Sequence, residues 1–350
     1  MPTTLSEIND AYGAINFYEQ KLKEARAARH KLLNRKKSNP KVIAQDSTSK
    51  WAAYHGDAVE VTKGIPDNSI HYSIFSPPFA SLFTYSNSAR DMGNSQDGNF
   101  YDHFAYLLPE LYRAMMPGRL ISIHCMDIPA MKERDGYIGL KDFPGMLLKE
   151  FERIGFIYHS KVHIKKNELL EAQRTRAIGL AHKQVVKDSA ICRNALPDYI
   201  MTVRKPGNNP EPISRKNGFE IYRGSKSQPD KPKHKKHALN RFSQKIWQRY
   251  AASVWLDINQ TDTLNVQAAR EQNDERHICP LQLGVITRCL ELWTNESDTV
   301  LDPFGGIMSV GYQALLMNRR AVMIELKESY YKQGIKNLKR ASKPTTKRFF

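Results

Sequence analysis

The fold is decided by the stretch Val300-Leu301-Asp302-Pro303-Phe304-Gly305-Gly306-Ile307-Met308-Ser309-Val310-Gly311. An apolar strand runs here into a glycine-containing turn, and the turn opens a helix. In α/β proteins this junction brings backbone N–H groups close to a ligand at the carboxyl edge of the sheet. Glu325 follows 19 residues after Gly306, at the end of the next apolar run, where a carboxylate can accept hydrogen bonds from a ribose diol. The glycine turn and Glu325 together predict a site for a ribose-bearing cofactor. A nicotinamide-dependent enzyme would have the same two features.

A second strand-to-turn junction, Ser76-Pro77-Pro78-Phe79, argues against the nicotinamide enzyme. Two successive prolines fix φ and lack N–H donors, so the carbonyls of Ser76 and Pro77 can face outward as acceptors. An extruded planar base could donate its exocyclic amine to these acceptors while Phe79 stacks on its ring. The same residues could instead form an ordinary strand-ending turn. Together with the glycine turn, the base-binding interpretation is favoured.

Short β-rich runs alternate with helical patterns along the rest of the chain, which is typical of an α/β protein with a doubly wound sheet. We predict a sheet of about seven strands, at residues 51–55, 71–75, 119–124, 156–164, 199–203, 299–301 and 321–324. We predict helices at residues 101–116, 143–154, 281–293, 310–317 and 329–340. An apolar stripe with helical spacing also predicts an amphipathic helix within residues 5–35.

The charge distribution favours a polyanionic partner, nucleic acid before membrane. The 350 residues carry a formal net charge of +17. Residues 21–41, 204–249 and 327–350 carry +8, +10 and +7, which leaves −8 on the remaining chain. Segregated positive charge of this kind suits contacts to phosphates, although charge runs are also common as solvated faces or tails.

The middle basic segment contains five prolines, at positions 206, 210, 212, 229 and 232, and this composition favours extended loops. Its aromatic residues, Phe219, Tyr222, Phe242 and Trp247, are interleaved with Lys and Arg. A flexible basic segment with stacking side chains suits contacts to phosphates and bases. The predicted DNA contacts in it are Arg215, Lys216, Arg223, Lys233, Lys235, Lys236 and Arg241.

In the order of these parts, residues 51–340 resemble the β-group of DNA amino-methyltransferases, which methylate exocyclic nitrogens of bases with S-adenosylmethionine. The shared order is Gly56-Asp57, then the Ser-Pro-Pro-Phe motif, then Pro117-Gly118, then residues 277–283, the glycine turn and Glu325. The catalytic motif precedes the cofactor turn, which is the circular permutation that distinguishes this group. In detail the chain looks most like phage and prophage members, so no partner endonuclease is required, and the choice between an orphan and a restriction-modification role stays open.

The resemblance implies a Rossmann-like methyltransferase sheet, a site for S-adenosylmethionine and double-stranded DNA as the partner. It implies a catalytic half at 46–165, a target-recognition region at 166–265 and a cofactor-binding half at 266–340, flanked by a basic N-terminal helix (1–45) and a basic tail (341–350). The implied catalytic residues are Ser76, Pro77, Pro78 and Phe79. The implied cofactor-binding residues are Asp57, Asp302, Phe304, Gly305, Gly306 and Glu325.

Met308 departs from the family pattern, in which the turn reads Phe-x-Gly-x-Gly and ends on glycine. Methionine brings a side chain and a restricted backbone to a place where the cofactor approaches closely. Either the backbone tolerates it on the first turn of the helix, or the cofactor binds weakly. A catalytically weak or inactive DNA-binding protein therefore stays open as an alternative function.

Several functional choices stay open at this stage. Serine in the first catalytic position leans toward cytosine N4 over adenine N6, and an RNA methyltransferase would share the core. A cytosine-C5 enzyme is disfavoured because the chain lacks a Pro-Cys nucleophile. The cysteines, Cys125, Cys192, Cys279 and Cys289, form no CxxC pair, so neither disulfides nor a metal site is expected. We expect a soluble cytoplasmic protein, and the sequence does not decide whether it forms a homodimer.

Overall fold

The computed structural model describes residues 41–78, 97–175, 185–190, 193–229, 235–265 and 280–343. Its centre is a nine-stranded sheet with the order β1-β2-β11-β10-β3-β4-β8-β7-β9, and β5 and β6 form a separate hairpin. The strands are β1 (Ala44–Ser47), β2 (Trp51–His55), β3 (Ile70–Phe75), β4 (Met115–Cys125), β5 (Ile128–Ala130), β6 (Gly139–Lys141), β7 (Ile157–Ile164), β8 (Asp198–Arg204), β9 (Val254–Trp255), β10 (Thr299–Asp302) and β11 (Arg320–Glu325).

The helices are α1 (Ala58–Thr62), α2 (Asp97–Ala114), α3 (Lys132–Asp135), α4 (Phe143–Ile154), α5 (Glu168–Thr175), α6 (Lys235–Tyr250), α7 (Leu283–Trp293), α8 (Ser309–Leu316) and α9 (Glu328–Ser342). Among the described residues, no helix is both long enough and apolar enough to cross a membrane.

Five neighbouring strands, β2, β11, β10, β3 and β4, run parallel to one another. Their carboxyl ends therefore meet at one edge of the sheet, which is where α/β proteins place their ligands. Strand β8 is antiparallel to both β4 and β7, and β1 is antiparallel to β2. The sheet thus has a parallel centre with antiparallel pairs toward its margins.

Helices cover both faces of the sheet. One buried cluster joins α1, α2 and α4 to the sheet through residues such as Phe104, Leu111 and Phe151. The other joins α7, α8 and α9 to the opposite face through residues such as Ile286, Ala314 and Leu338. Strands covered on both faces are apolar throughout, and this is why they stand out in the sequence.

Helix α4 shows how the local sequence specifies these elements. Phe143, Leu147, Phe151 and Ile154 recur at helical spacing and are buried along one face. The Asp142 side chain caps the helix, because its Oδ1 accepts the Gly145 N–H at 2.7 Å. Gly155 ends the helix in the left-handed conformation, with a φ of 105°.

The prediction of an α/β methyltransferase-like sheet is confirmed, and each of the seven predicted strands is present. Strands β1 and β9 were missed because they are short and lie at the two margins of the sheet, where little apolar surface is buried. The five predicted helices are also present, with ends shifted by up to four residues. The helix predicted within residues 5–35 lies outside the described residues.

The prediction of an extended basic loop across residues 204–249 is wrong for its last third, which forms helix α6. The prolines lie before this helix, and Phe242, Ile246 and Tyr250 recur every four residues as one apolar stripe. That stripe is buried together with Tyr222. The apolar surface that this stripe buries stabilises a helix, although the composition of the whole segment is typical of loops.

Candidate active site

Both sequence motifs lie at the carboxyl edge of the parallel strands. The glycine turn follows β10, Glu325 ends β11, Asp57 follows β2 and Ser76 follows β3. The strand order β2-β11-β10-β3 makes these four positions neighbours. The rings of Phe75 and Phe304 pack with centroids 5.6 Å apart, so the end of β3 that leads into Ser76 contacts the glycine turn.

The glycine turn presents backbone to open space. The Gly305 N–H donates to the Ile324 carbonyl at 2.7 Å, and a Cβ at Gly305 would lie 3.1 Å from that oxygen. Gly306 has a φ of 52°, and nothing lies within 4 Å of where its Cβ would be. Only glycine adopts such a backbone at little cost, and the open side leaves room for a ligand to approach the main chain. This geometry fits the close approach that a nucleotide-like cofactor requires.

The three predicted cofactor-binding carboxylates have different local roles. Glu325 Oε2 accepts the Gly306 N–H at 2.7 Å, and its Oε1 accepts the Lys327 N–H at 2.7 Å. Asp57 caps helix α1, because its Oδ1 accepts N–H groups of Val59 and Glu60 at 2.9 and 3.1 Å. Glu325 therefore orients the glycine turn, and Asp57 orients the neighbouring helix.

Asp302 is the most electrostatically perturbed of these carboxylates. It is 4% exposed, and its Oδ1 accepts the Phe304 N–H at 2.9 Å. Burial raises the pKa of Asp302 to about 8, the Glu325 charge adds to the rise, and the Phe304 hydrogen bond opposes it. A carboxyl of this kind gains most from a cationic group placed beside it.

Met308 occupies the last position of the turn with a φ of 63°, and it precedes the first residue of α8. Its side chain is fully buried beneath the turn, where it packs against α9. A Cβ at Gly334 on α9 would lie only 2.6 Å from Met308 Cγ and Sδ. The methionine side chain is thus accommodated by a glycine on another helix and does not occupy the open side of Gly306.

The base-binding motif continues β3 beyond its last residue. Ser76 is half-buried, and Pro77 and Pro78 are buried. The Ser76 hydroxyl donates to the His124 carbonyl at 3.2 Å, and Ser73 donates to the Leu301 carbonyl at 2.9 Å. These bonds hold the motif between β10 and β4. Phe79 lies outside the described residues.

Three polar residues behind Ser76 were missed by the sequence analysis. His124 Nδ1 lies 3.5 Å from Ser76 Oγ, and His124 Nε2 lies 3.3 Å from Asp198 Oδ2. Lys166 Nζ donates to Asp198 Oδ1 at 2.7 Å. No spacing in the sequence links residues 76, 124 and 198. They meet because β3, β4 and β8 are neighbours in the sheet.

The predicted DNA-contact residues fall into three groups. Arg215 and Arg223 lie near Glu291, each with a guanidinium nitrogen 3.6 Å from a carboxylate oxygen, and Arg215 also donates to the Glu291 carbonyl. Lys216 and Arg241 are exposed. Lys233 lies outside the described residues, and Lys235 and Lys236 begin helix α6 with side chains that are not described.

The aromatic residues of the basic segment are mostly structural, which corrects the prediction that they stack on bases. Tyr222 and Phe242 are 2% and 4% exposed and pack with Ile246 and Tyr250. Phe219 packs against this cluster from the side. Trp247 is 53% exposed, at a position of α6 beside the buried stripe. Among these four, Trp247 retains the exposure that a stacking role requires.

A cluster of His71, Glu211 and Asp298 brings three ligand-type atoms within 4.8 Å of one another. His71 Nδ1 accepts the Thr299 N–H at 3.2 Å, so the ring proton is on Nε2, which faces Glu211 Oε2 at 3.2 Å. Arg119 lies 3.1 Å from Asp298 Oδ2. With both ring nitrogens engaged, this cluster is a hydrogen-bonded link between strands and loop, not a metal site.

In this α/β protein the glycine turn and the Ser-Pro-Pro segment meet at one edge of the sheet. Residues 70–336 match the model of the DNA methylase family, the N6/N4 methyltransferases, so the chain belongs to that family. The predicted recognition as a DNA amino-methyltransferase, an enzyme class that uses S-adenosylmethionine, is therefore confirmed at the level of the family.

Solved structures show the same fold at low sequence identity. TTHA0409 of Thermus thermophilus, described as a DNA modification methylase and complexed with S-adenosyl-L-methionine, is 20% identical, with a TM-score of 0.58 over 85% of this chain and 96% of that one. The cytosine-N4-specific PvuII DNA methyltransferase is 15% identical, with a TM-score of 0.56 over 85% and 90% of the two chains. The comparison with curated protein sequences returned no match.

Proposed function

We propose that this protein methylates an exocyclic amino group of a base in double-stranded DNA and uses S-adenosylmethionine as the methyl donor. The observation that carries the proposal is the packing of Phe75, the last residue of β3, on Phe304 of the glycine turn. It places the base-binding motif beside the glycine turn. Both a planar base and a ribose-bearing cofactor can then be held at one edge of the sheet.

The cofactor would bind on the open side of the glycine turn, along the main chain of Gly305 and Gly306. Glu325, at the end of β11, would accept hydrogen bonds from the ribose hydroxyls, and the buried Asp302 would lie beside a cationic group. When bound, S-adenosylmethionine supplies an electrophilic methyl group on a sulfonium. The residues of the protein bind the amine, orient it and exclude water from it.

Ser76 and the Pro77 carbonyl would accept hydrogen bonds from the exocyclic amine of a flipped base. Such an amine is a poor nucleophile because its lone pair is delocalised into the ring. Acceptors on its protons favour a more pyramidal nitrogen and direct the lone pair outward. Phe79 would stack on the ring. The half-buried position of Ser76 and the buried prolines support a preformed pocket.

A covalent cysteine mechanism has no support among the described residues. Cys125 and Cys289 are fully buried, and burial raises the pKa of both thiols, that of Cys289 to about 12. Neither thiol ionises at neutral pH, so neither serves as a nucleophile. This favours direct transfer to nitrogen over methylation at cytosine C5.

Helix α6 supports DNA as the substrate. Arg241, Lys245 and Trp247 are exposed positions of this helix, while Phe242, Ile246 and Tyr250 are buried. Exposed basic side chains together with an exposed indole suit phosphate contact combined with stacking. We propose cytosine N4 as the target over adenine N6, on the ground that Ser76 is a neutral acceptor at the first catalytic position.

Methyl transfer from labelled S-adenosylmethionine tests the proposal. The purified protein should label double-stranded DNA and leave RNA unlabelled, and mass spectrometry of the nucleosides should show N4-methylcytosine. Ser76→Ala should reduce the rate by at least about 100-fold. Ser160→Ala, in β7 and away from the turn, is the matched control and should retain the wild-type rate.

Each alternative has its own outcome in this assay. Labelled RNA with unlabelled DNA would establish an RNA methyltransferase, and N6-methyladenine would reverse the choice of base. A folded protein that binds DNA but labels neither nucleic acid would establish the inactive alternative and contradict the proposed function.

A further inference from the structure

A chain of polar groups runs from the base-binding motif into the protein interior. It consists of Ser76 at the end of β3, His124 in β4 and Asp198 at the start of β8, and we call it the Ser-His-Asp chain. His124 and Asp198 are 8% and 5% exposed. The three residues come from three adjacent strands, so the sheet itself holds their relative positions.

The contacts of His124 decide which nitrogen of its imidazole ring carries the proton. His124 Nε2 faces Asp198 Oδ2 at 3.3 Å, although off the ideal hydrogen-bond direction. A carboxylate can only accept, so the ring proton is placed on Nε2. Nδ1 then presents a lone pair toward Ser76 Oγ, 3.5 Å away. This distance is at the long end of the hydrogen-bond range, and hydrogen bonds between catalytic groups tighten in the complex with substrate.

Asp198 is held as an anion. Lys166 Nζ donates to its Oδ1 at 2.7 Å, and His124 faces its other oxygen. Burial by itself would raise the pKa of Asp198, but the hydrogen bonds from His124 and Lys166, together with the Lys166 charge, hold it below its ordinary value. The neighbouring Asp127 is engaged with the Tyr199 hydroxyl at 2.9 Å. The anionic end of the chain is therefore Asp198.

The chemistry of amine methylation explains why such a chain would be useful. Once an exocyclic amine has gained a methyl group, its nitrogen carries an additional positive charge and must lose a proton. A serine hydroxyl is a weak base, and it can pass a proton onward only when an acceptor lies behind it. His124 is that acceptor, and the Asp198 carboxylate stabilises the imidazolium that forms.

We propose that His124 and Asp198 are positioning residues that act through Ser76, orienting its hydroxyl and accepting the proton released by the methylated amine. The proton leaves the nitrogen for Ser76 Oγ as the hydroxyl proton moves to His124 Nδ1. The resulting imidazolium returns its proton to water, and no oxidation or reduction occurs. The Ser76 proton now directed at the His124 carbonyl reaches Nδ1 by rotation about the Cβ–Oγ bond. This inference rests on the proposed function.

The pH dependence of methyl transfer separates this role from a purely structural one. In the wild-type protein, the single-turnover rate should fall as the pH is lowered, because a protonated imidazole has no lone pair to accept the Ser76 proton. His124→Asn keeps an acceptor near Ser76 but cannot hold the proton, so its rate should drop by about 100-fold and lose this acidic limb, with KM for DNA unchanged. Asp198→Asn should also slow the reaction.

His163→Asn is the matched control, because His163 packs on Tyr199 and lies in β7, away from Ser76. It should keep both the wild-type rate and the acidic limb. If His124→Asn keeps that limb as well, the proposal is overturned while the methyltransferase function stands. If the folded wild-type protein transfers no methyl group to DNA, both are overturned.

Nitrogen-15 NMR of labelled histidine gives a readout that needs no activity. The His124 resonance, identified by its loss in His124→Asn, should show the Nε2-protonated tautomer, and its Nδ1 shift should change in Ser76→Ala. A proton found on Nδ1 would overturn the Ser-His-Asp chain whatever the enzyme does.

Discussion

Asp302 illustrates how one buried residue at the carboxyl edge links the site to the stability of the fold. Its pKa is raised from an ordinary 3.8 to about 8, so the folded protein holds this proton to a higher pH than the unfolded chain. A group whose pKa is raised in the folded state contributes its full stabilisation when the pH is below its pKa in the unfolded chain. That stability is lost as the pH rises from about 4 to about 8.

We therefore expect the cofactor-free protein to lose up to about 1.4 kcal/mol of unfolding free energy per pH unit over this range from Asp302. Asp302→Asn keeps the acceptor for the Phe304 N–H but cannot ionise, so its unfolding free energy should depend less on pH. Denaturant unfolding at pH 6 and pH 8 measures this. Asp262→Asn, at an exposed loop position, is the control, and equal pH slopes for wild type and Asp302→Asn would contradict the expectation.

Met308 and Gly334 form a second residue-scale pair, because the methionine side chain fills the space that a Gly334 Cβ would occupy. Gly334→Ala should destabilise the protein by about 1–3 kcal/mol through overpacking, despite the higher helix propensity of alanine. In a Met308→Ala background the same change should cost less, and a double-mutant cycle in urea measures the coupling. Additive effects would show that the two residues do not interact.

Met308→Gly tests whether the methionine weakens cofactor binding. Glycine adopts the left-handed conformation of residue 308 with less strain than methionine does. The change also removes a fully buried side chain, so we expect a net loss of about 1–4 kcal/mol of unfolding free energy. The affinity for S-adenosylmethionine, measured by calorimetry at a temperature where both proteins are folded, should stay within about threefold. A larger gain in affinity would mean that Met308 obstructs the site.

At the scale of elements, helix α6 has two faces with different roles. Phe242 and Ile246 are buried, whereas Trp247 is 53% exposed. Phe242→Ala should cost about 3–5 kcal/mol of stability. Trp247→Ala should leave stability nearly unchanged and weaken DNA binding about tenfold, which fluorescence anisotropy on a labelled duplex measures. Unchanged affinity with Trp247→Ala would remove this helix from the proposed interface.

Strands could be predicted from the sequence where helices cover both of their faces, and helices could be predicted where apolar residues recur at a regular helical spacing. The strands β3, β10 and β11 are short apolar runs because helices cover both faces of the sheet, and the glycine turn and the serine-proline turn each follow one of them. Helix α6 was missed because its apolar stripe is embedded in a segment rich in charge and preceded by prolines. The Ser-His-Asp chain was not predictable, since only the strand order β3-β4-β8 brings its members together.

At the scale of the whole molecule, the charge is segregated. Among the described residues of 204–249, some basic side chains lie beside an internal carboxylate and others are exposed to solvent. Arg215 and Arg223 lie beside Glu291, a partner within the protein. Lys216 and Arg241 are exposed to solvent. An arginine committed to an internal carboxylate releases fewer counterions from DNA than a solvated one.

The salt dependence of DNA affinity should follow this division. Each phosphate neutralised contributes about −0.9 to the slope of log K against log salt concentration. Lys216→Gln and Arg241→Gln should each reduce the slope by about that amount and leave stability unchanged. Arg215→Gln should instead lower stability, because it removes one of the two arginines beside Glu291 and the hydrogen bond to the Glu291 carbonyl, and it should leave the slope nearly unchanged. Lys149→Gln, on the exposed side of α4 and outside the basic segments, is the control. An equal loss of slope in Arg215→Gln and Arg241→Gln would show that ion pairing within the protein does not decide which basic residues reach DNA.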